Sequence, residues 1–330
     1  MKRDKRCFAL FSGGLDSVLS AKYMSILGYD VLPIFFETPF FKPDKAIKSA
    51  KMIGLNLIVH DLTEVYISML AKPRYGYGKN MNPCIDCHGM MFRTAGELME
   101  EYNVDFLISG EVLGQRPMSQ RKDAMNSVGK LSLKKDLLVR PLSQKLLADS
   151  LPIREGWVDK NEMLDIQGRA RYRQIDLAAK LGIHDFENPG GGCLLTDIGY
   201  GMKVKDLFEH DVLELKYIKL LSYGRHFRIN PNLKLIVGKN ENDNDNIEEL
   251  ITDETVMLVE DFAGPLAVLQ ANAEISEKDL EICANILLRY SSQAPEEADI
   301  NFGLNHELIN TITATKMSDE TMKKYKINKG

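Results

Sequence analysis

The pattern of apolar and polar residues divides this chain into two styles. Up to about residue 205, short apolar runs alternate with helix-like periodicity. Runs at 7–11, 31–36, 56–60, 104–109 and 137–140 have the length and composition of buried strands. Helical patterns lie near 16–28, 44–53, 62–71 and 88–102. That succession predicts an α/β fold, a doubly wound parallel sheet with helices on both faces. Ligands of such sheets bind beyond the carboxyl ends of the strands. Phe11-Ser12, Phe36-Glu37 and Ser109-Gly110-Glu111 all fall at such ends. Residues 161–182 read as helical with a break at Gly168, and lead into Asn188-Pro189-Gly190-Gly191-Gly192, which is unsuited to regular structure.

Beyond 205 the style changes. Strands at 226–229, 233–237, 255–260 and 265–269, then a helix at 276–290, predict a smaller α+β domain with antiparallel pairing. The expected domains are therefore 1–205 and 206–330. Residues 239–254, rich in Asn, Asp and Glu, read as a surface turn or loop, and Lys323-Lys324-Tyr325-Lys326 as a frayed tail.

Composition narrows the function classes. A chain of 330 residues can bury two cores. No apolar stretch approaches the roughly 20 residues of a membrane helix. The basic start Met1-Lys2-Arg3 runs into a strand rather than the apolar core of a signal peptide, so the expectation is a cytoplasmic protein with no membrane partner. A net charge of −5 argues against indiscriminate polyanion binding but allows a local basic surface. Five cysteines do not suggest a disulfide framework, and the closely spaced ones point to metal or redox chemistry.

The strand at 7–11 runs directly into Ser12-Gly13-Gly14-Leu15-Asp16-Ser17. Gly13 and Gly14 permit a tight turn that aims backbone N–H groups at an anion. The following helix adds the positive end of its dipole. Ser12 and Ser17 offer hydroxyls, and Asp16 can hold Mg²⁺ on bound phosphates. The Gly-Lys-Ser/Thr ending of a Walker A loop is absent. The six residues resemble the PP-loop of ATP pyrophosphatases, which implies an adenine nucleotide alpha hydrolase-like fold and adenylation of a substrate by ATP.

Pro83-Cys84-Ile85-Asp86-Cys87-His88 and the later Gly192-Cys193 form a second constellation. Cys7 sits in the first strand and Cys283 on the late helix, a small core residue. Cys84, Cys87 and Cys193 have three readings. They could hold a [4Fe–4S] cluster with one open iron, form a persulfide and resolving pair, or bind structural zinc with His88 or His184. His88 also reads either as a proton carrier or as a solvent-facing helix-start residue.

With both motifs in view, residues 5–200 resemble a PP-loop tRNA thiolation enzyme of the ThiI group. The loop Ser12–Ser17, the string Ile108-Ser109-Gly110-Glu111-Val112-Leu113-Gly114-Gln115-Arg116-Pro117-Met118-Ser119-Gln120, and Val139-Arg140-Pro141-Leu142 carry that resemblance. Asn82-Pro83-Cys84-x-x-Cys87 instead resembles MnmA and iron–sulfur thiolases. Residues 222–293 resemble the RNA-binding domain of NFACT proteins through Tyr223-Gly224-Arg225-His226-Phe227-Arg228-Ile229, Gly238-Lys239-Asn240 and Asn244. The THUMP and rhodanese regions of many ThiI proteins have no counterpart here.

These resemblances imply ATP, Mg²⁺ and a [4Fe–4S] cluster as cofactors, and tRNA as substrate. They imply ATP contacts at Ser12, Gly13, Gly14, Asp16, Ser17 and Gly110, catalysis by Asp16 and the three cysteines, and sulfur from sulfide or a cysteine desulfurase. The product is expected to be 4-thiouridine, with 2-thiouridine or a persulfide route as alternatives. An amidating PP-loop ligase with zinc and a non-catalytic RNA-binding factor are the competing classes. Arg116, Arg121, Lys122, Arg169 and Arg173 are candidate RNA contacts, and in the C-terminal region Arg225, Arg228, Lys234 and Lys239 would form the basic patch. Oligomeric state is open, a homodimer included.

Overall fold

The computed structural model describes residues 4–186, 193–210, 213–304 and 307–327. It separates into two compact units, Met1–Cys193 and Leu194–Gly330. The Asn188–Gly192 segment lies outside the described residues.

In the first unit, β1 (Arg6–Leu10), β2 (Asp30–Glu37), β3 (Ile58–Asp61), β4 (Phe106–Ser109) and β5 (Leu138–Val139) form one parallel sheet in the order β3-β2-β1-β4-β5. The helices are α1 (Leu15–Ile26), α2 (Asp44–Met52), α3 (Thr63–Ala71), α4 (Cys84–Glu97), α5 (Lys122–Ser132), α6 (Leu151–Arg154) and α7 (Tyr172–Lys180). The alternation along β1 explains the double winding. Cys7 and Ala9 enter one core with Val18 and Leu19 of α1 and Ala46 of α2. Phe8 enters the other with Phe92 of α4 and Val128 of α5. Successive side chains of a strand point to opposite faces, so both sheet faces are covered. The strand order reverses between β1 and β4, which makes the crevice above them the expected ligand position.

Two expectations in this unit change. Residues 161–182 are helical only from Tyr172, after a 3₁₀ turn at Lys160–Glu162. Gly168 adopts φ +84° and its N–H donates to Leu113 O at 2.7 Å, so the segment is drawn to the loop after β4 instead of coiling. Helix α5 was not marked in the sequence. It packs Ala124, Met125 and Val128 inward, a short stripe with little apolar signal.

In the second unit, α8 (Ile198–His210) and α9 (Leu215–Leu220) precede β6 (Arg225–Asn230), β7 (Leu233–Val237), α10 (Glu241–Glu248), β8 (Thr255–Val259), β9 (Ala267–Ala271), α11 (Glu277–Arg289), β10 (Glu297–Leu304), β11 (Asn310–Thr315) and α12 (Asp319–Met322). The strands make an antiparallel sheet ordered β11-β10-β8-β9-β7-β6. The division between the units falls before α8, earlier than the expected 205/206. Helix α8 is held to this unit by Lys203, whose Nζ donates to Leu221 O at 2.9 Å, and by Asp206, which pairs with Arg228 at 2.7 Å.

Residues 241–248 form a helix, not the expected loop. Asn240 Oδ1 accepts from Asp243 N at 2.9 Å as its cap, and Ile247 is fully buried. The tail is also ordered in part. Tyr325 O accepts from Arg228 N at 2.8 Å, and Lys326 bridges to Phe227. Strands β10 and β11 escaped the sequence reading because their polar alternation, as in Glu297–Leu304, leaves few apolar positions.

Candidate functional site

The Ser12–Ser17 turn lies at the carboxyl end of β1, where the strand order reverses. Gly13 has φ +72°, and a Cβ there would meet Ala46 backbone at 2.8 Å. Glycine is therefore required twice, by conformation and by space. Gly14 begins α1 without a side-chain cap, so the helix N-terminus keeps the character of an anion site. Ser17 Oγ donates to Gly14 O at 2.8 Å and lies 3.3 Å from Ser12 Oγ. Ser49 Oγ donates to Gly13 O at 3.0 Å and fixes the turn from α2.

Gly110 closes the turn from the neighbouring strand. A Cβ at that position would meet the Asp16 carbonyl at 2.4 Å. The two strand ends therefore touch through backbone. Gln115 Nε2 donates to Asp16 Oδ2 at 2.6 Å, and Gln174 Nε2 donates to Gln115 Oε1 at 2.7 Å. Arg171 Nη2 reaches the same Asp16 oxygen at 3.2 Å. Among the described residues, Asp16 Oδ1 is buried with no hydrogen-bond partner. An orphaned carboxylate oxygen beside an uncapped helix N-terminus fits a divalent cation shared with phosphate oxygens. Gln174 and Arg171 carried no signal in the sequence. The sequence marks neighbouring Arg169 and Arg173 instead, and Arg173 is engaged with Asp165.

Cys84 and Cys87 open α4. Pro83 precedes its first turn, and Cys84 and Cys87 are one turn apart. Asn82 Nδ2 donates to Cys84 Sγ at 3.1 Å. Asp86 is buried and accepts from Arg74 N at 2.8 Å and Tyr75 N at 2.9 Å, which anchors the preceding loop. Burial is the main force raising the Cys87 thiol, and the charges of Cys193 and Cys84 push the same way. The hydroxyl of Tyr66 on α3, hydrogen-bonded to Cys87, opposes them. So Cys84, Cys87 and Cys193 act on one another although Cys193 is distant in sequence. Tyr66, a core aromatic by pattern, was missed as their neighbour.

That all-thiol donor set suits a thiophilic centre, whose positive charge would replace the thiol protons. The sulfurs are not gathered as a ligand set: among the described residues, no group of three or more His, Cys, Asp or Glu is arranged to hold a metal ion.

Glu111 links this cluster to the sheet mouth. Its carboxylate accepts from Arg140 Nε at 2.8 Å and lies 3.2 Å from His88 Nδ1. Burial alone would raise its pKa, but Arg140 and His88 outweigh burial and lower it to about 2. His88 is thus half-buried and partnered rather than a plain solvent-facing residue. Among the described residues, Arg140 Nη2 is buried without a hydrogen-bond partner. Arg116 and Lys122 are exposed, Arg121 pairs with Asp123 at 2.8 Å, and Arg169 is exposed.

Residues 3–144 match the family model described as Thiamine biosynthesis protein (ThiI). That match lies within the first unit. Residues 224–326 match the model described as NFACT protein RNA binding domain. The string from Gly110 to Gln115 in the ThiI-type domain is the one that closes on Asp16.

A tRNA-specific 2-thiouridylase MnmA of Sulfurimonas denitrificans is 29% identical over 121 residues, 33% of this chain and 35% of that protein. A probable tRNA sulfurtransferase of Methanosarcina mazei is 24% identical over 221 residues, 64% of this chain and 47% of that protein. The chain thus spans between a third and a half of the length of these two relatives. A solved 4-thiouridine synthetase–RNA complex with bound ATP is similar at TM-score 0.34 and 18% identity, over 54% of this chain and 52% of that one.

One sequence expectation fails in the NFACT-type domain. Arg228 and Lys234 do not form an open basic patch. Both pair with Asp206, and Lys234 is only 1% exposed. They are structural ions, buried because β6 and β7 pack them against α8.

Proposed function

We propose that the protein is an ATP-dependent tRNA uridine thiolase. The observation that carries the reading is the paired strand-end arrangement, in which the Ser12–Ser17 turn is closed by Gly110 and Asp16 keeps an orphaned oxygen. The ThiI-type match and the relative described as a probable tRNA sulfurtransferase support the choice of reaction.

A uridine carbonyl oxygen is a poor leaving group. Attack of that oxygen on the α-phosphate of ATP expels pyrophosphate and leaves an O-adenylated base. A sulfur nucleophile then adds at the activated carbon, and AMP leaves with the original oxygen. The backbone N–H groups of Gly13 and Gly14 and the hydroxyls of Ser12 and Ser17 would hold the phosphates. Asp16 would hold Mg²⁺, with Gln115 and Arg171 fixing its carboxylate. Catalysis of this kind is mainly positioning and charge neutralisation. Cys84, Cys87 and Cys193 are the thiols that would hold a [4Fe–4S] cluster, which would supply a site for sulfide; they are not arranged as a ligand set without it, so cluster binding would have to draw them together.

The product proposed is 4-thiouridine. A 2-thiouridine product is the second reading, favoured by the similarity to the MnmA relative. The NFACT-type domain would contribute RNA contacts, and the protein would work in the cytoplasm with sulfide or a cysteine desulfurase as sulfur source.

The test is an anaerobic reaction of reconstituted protein with ATP, Mg²⁺, sulfide and unmodified tRNA, followed by mass spectrometry of the digested nucleosides. An ATP-dependent thiouridine is expected, and its retention time distinguishes the C4 from the C2 product. Absence of any thiolated nucleoside from protein with verified iron and labile sulfide would sink sulfide-driven thiolation.

A further inference from the structure

The NFACT-type domain contains a pocket of about 380 Å³ between the end of β7, the start of α10 and the end of α11. That volume is within the range of small-ligand sites. Its wall joins sequence segments that are far apart. Arg225 on β6 lays its guanidinium over the Tyr290 ring, 4.4 Å from the centroid. Its Nη1 also donates to Gly238 O at 3.0 Å, so the plane of the group is fixed. Asn244 is fixed too, because its Oδ1 accepts from Leu266 N at 3.1 Å. Gly238 makes room for this side chain: a Cβ there would sit 1.9 Å from Asn244 Oδ1.

The charges on the wall decide what could enter. Lys239 is half-exposed, and its amine lies 4.0 Å from Asp243. Glu241 and Asp245 put two carboxylates on the same wall. The N-terminus of α10 is already capped by Asn240. A bare phosphate is therefore a poor occupant. A flat group that stacks on a fixed guanidinium, offers donors to carboxylates and carries a phosphate outside for Lys239 matches every part. An unstacked RNA base has these properties, since such bases stack on aromatic and guanidinium planes and are read along their edges. Guanine has two adjacent donors, N1–H and N2–H, on that edge.

We propose that this pocket binds one unstacked nucleotide of a single-stranded RNA segment, guanosine by preference, with the base on the Arg225–Tyr290 stack, its donors on Glu241 or Asp245, and its phosphate at Lys239. The assignment rests on the RNA-binding reading of this domain. It also replaces the open patch expected from Arg228 and Lys234, which are occupied by Asp206.

The test uses the full chain and fluorescence anisotropy with labelled UUGUUU, labelled UUUUUU and unmodified tRNA. UUGUUU is expected to bind more tightly than UUUUUU. Arg225→Gln should weaken UUGUUU binding by about tenfold, the scale of a lost stacking platform. Lys239→Ala should weaken both hexamers by a few-fold and reduce the salt slope by about one. Lys239 is half-exposed, so its variant reports on binding even where Arg225→Gln lowers the melting temperature. Wild-type binding that both variants retain at unchanged melting temperature overturns the pocket and leaves RNA binding standing. Equal affinity for the two hexamers overturns the guanosine assignment. Binding of tRNA without either hexamer overturns the pocket, and failure to bind all three probes overturns both the pocket and the RNA reading.

Discussion

Gln115 holds Asp16 across 99 residues of sequence, donating from Nε2 to Oδ2 at 2.6 Å. Gln174 stands behind it, so the loop carboxylate is oriented by a relay of two buried amides. Replacing Gln115 by Leu removes the donor on Asp16 and strands the Gln174 amide. Each unpaired buried polar group costs about 1–3 kcal/mol. Gln115→Leu should therefore lower unfolding free energy by a few kcal/mol in urea titration and weaken Mg²⁺-ATP binding in calorimetry. Unchanged values in both would show that the relay does not orient the loop.

Arg171 is the cation on Asp16, 3.2 Å away and part-buried. Arg171→Ala should weaken ATP binding by about tenfold, the scale of a lost charge-assisted hydrogen bond. Arg171→Lys should recover only part, since a lysine lacks the planar fork. Calorimetric titration with the α,β-methylene analogue of ATP, whose Pα–Pβ link is not cleaved, reads the effect without turnover. Equal affinity of wild type and Arg171→Ala would remove Arg171 from the nucleotide site.

Gly110 leaves no room for a side chain, with the Asp16 carbonyl 2.4 Å from the ideal Cβ position. Gly110→Ala forces the β4 end and the Ser12–Ser17 turn apart. Loss of measurable ATP binding is expected, together with about 1–3 kcal/mol of stability, typical of overpacking. Gly54, where a Cβ would meet nothing within 4 Å among the described residues, is the control for added methyls. Its φ of +73° makes Gly54→Ala strained, but ATP affinity should be retained.

Glu111 ties stability to acid. Burial raises its pKa, but Arg140 and His88 lower it to about 2, below the 4.5 of a free glutamate. A depressed carboxylate contributes stability that is fully present above about 4.5 and is lost as pH falls through about 2. The contribution is on the order of a few kcal/mol. Urea midpoints measured from pH 5 to pH 2 should fall more steeply for wild type than for Glu111→Gln. Parallel curves would assign the acid limb to other groups.

Asp206 neutralises two cations in the second unit. It bonds Arg228 Nη2 at 2.7 Å and Nε at 3.0 Å, and Lys234 Nζ is 3.4 Å away. Asp206→Ala removes the carboxylate that both cations share, and breaking such a buried pair costs about 3–5 kcal/mol. Calorimetry should show a large drop in the melting transition of that unit. A shift no larger than that of an exposed carboxylate such as Glu274→Ala would refute the buried-ion role.

The sequence alone determined the features that arise from neighbouring residues. A buried run followed by Ser-Gly-Gly dictates a strand, a tight turn and a helix N-terminus, because glycine conformations and helix dipoles act within a few residues. The parallel sheet was legible for the same reason: strand and helix periodicities alternate over 7–109. Spacing of two residues marked Cys84 and Cys87 as a pair, although the helix was expected only from 88 and begins at Cys84.

Tertiary structure decided everything that depends on contacts distant in sequence. Arg171 rather than Arg169 or Arg173 meets Asp16, because the backbone at Gly168 is drawn to Leu113 before α7 begins. Tyr66 meets Cys87 from another helix, and Lys234 disappears beneath the sheet although its sequence neighbours suggest a basic surface. Helix α10, polar at most positions, forms because Asn240 caps it and Ile247 reaches a core assembled from other strands. Side-chain chemistry is written in the residue; its partner is set by packing, and packing is a property of the whole chain.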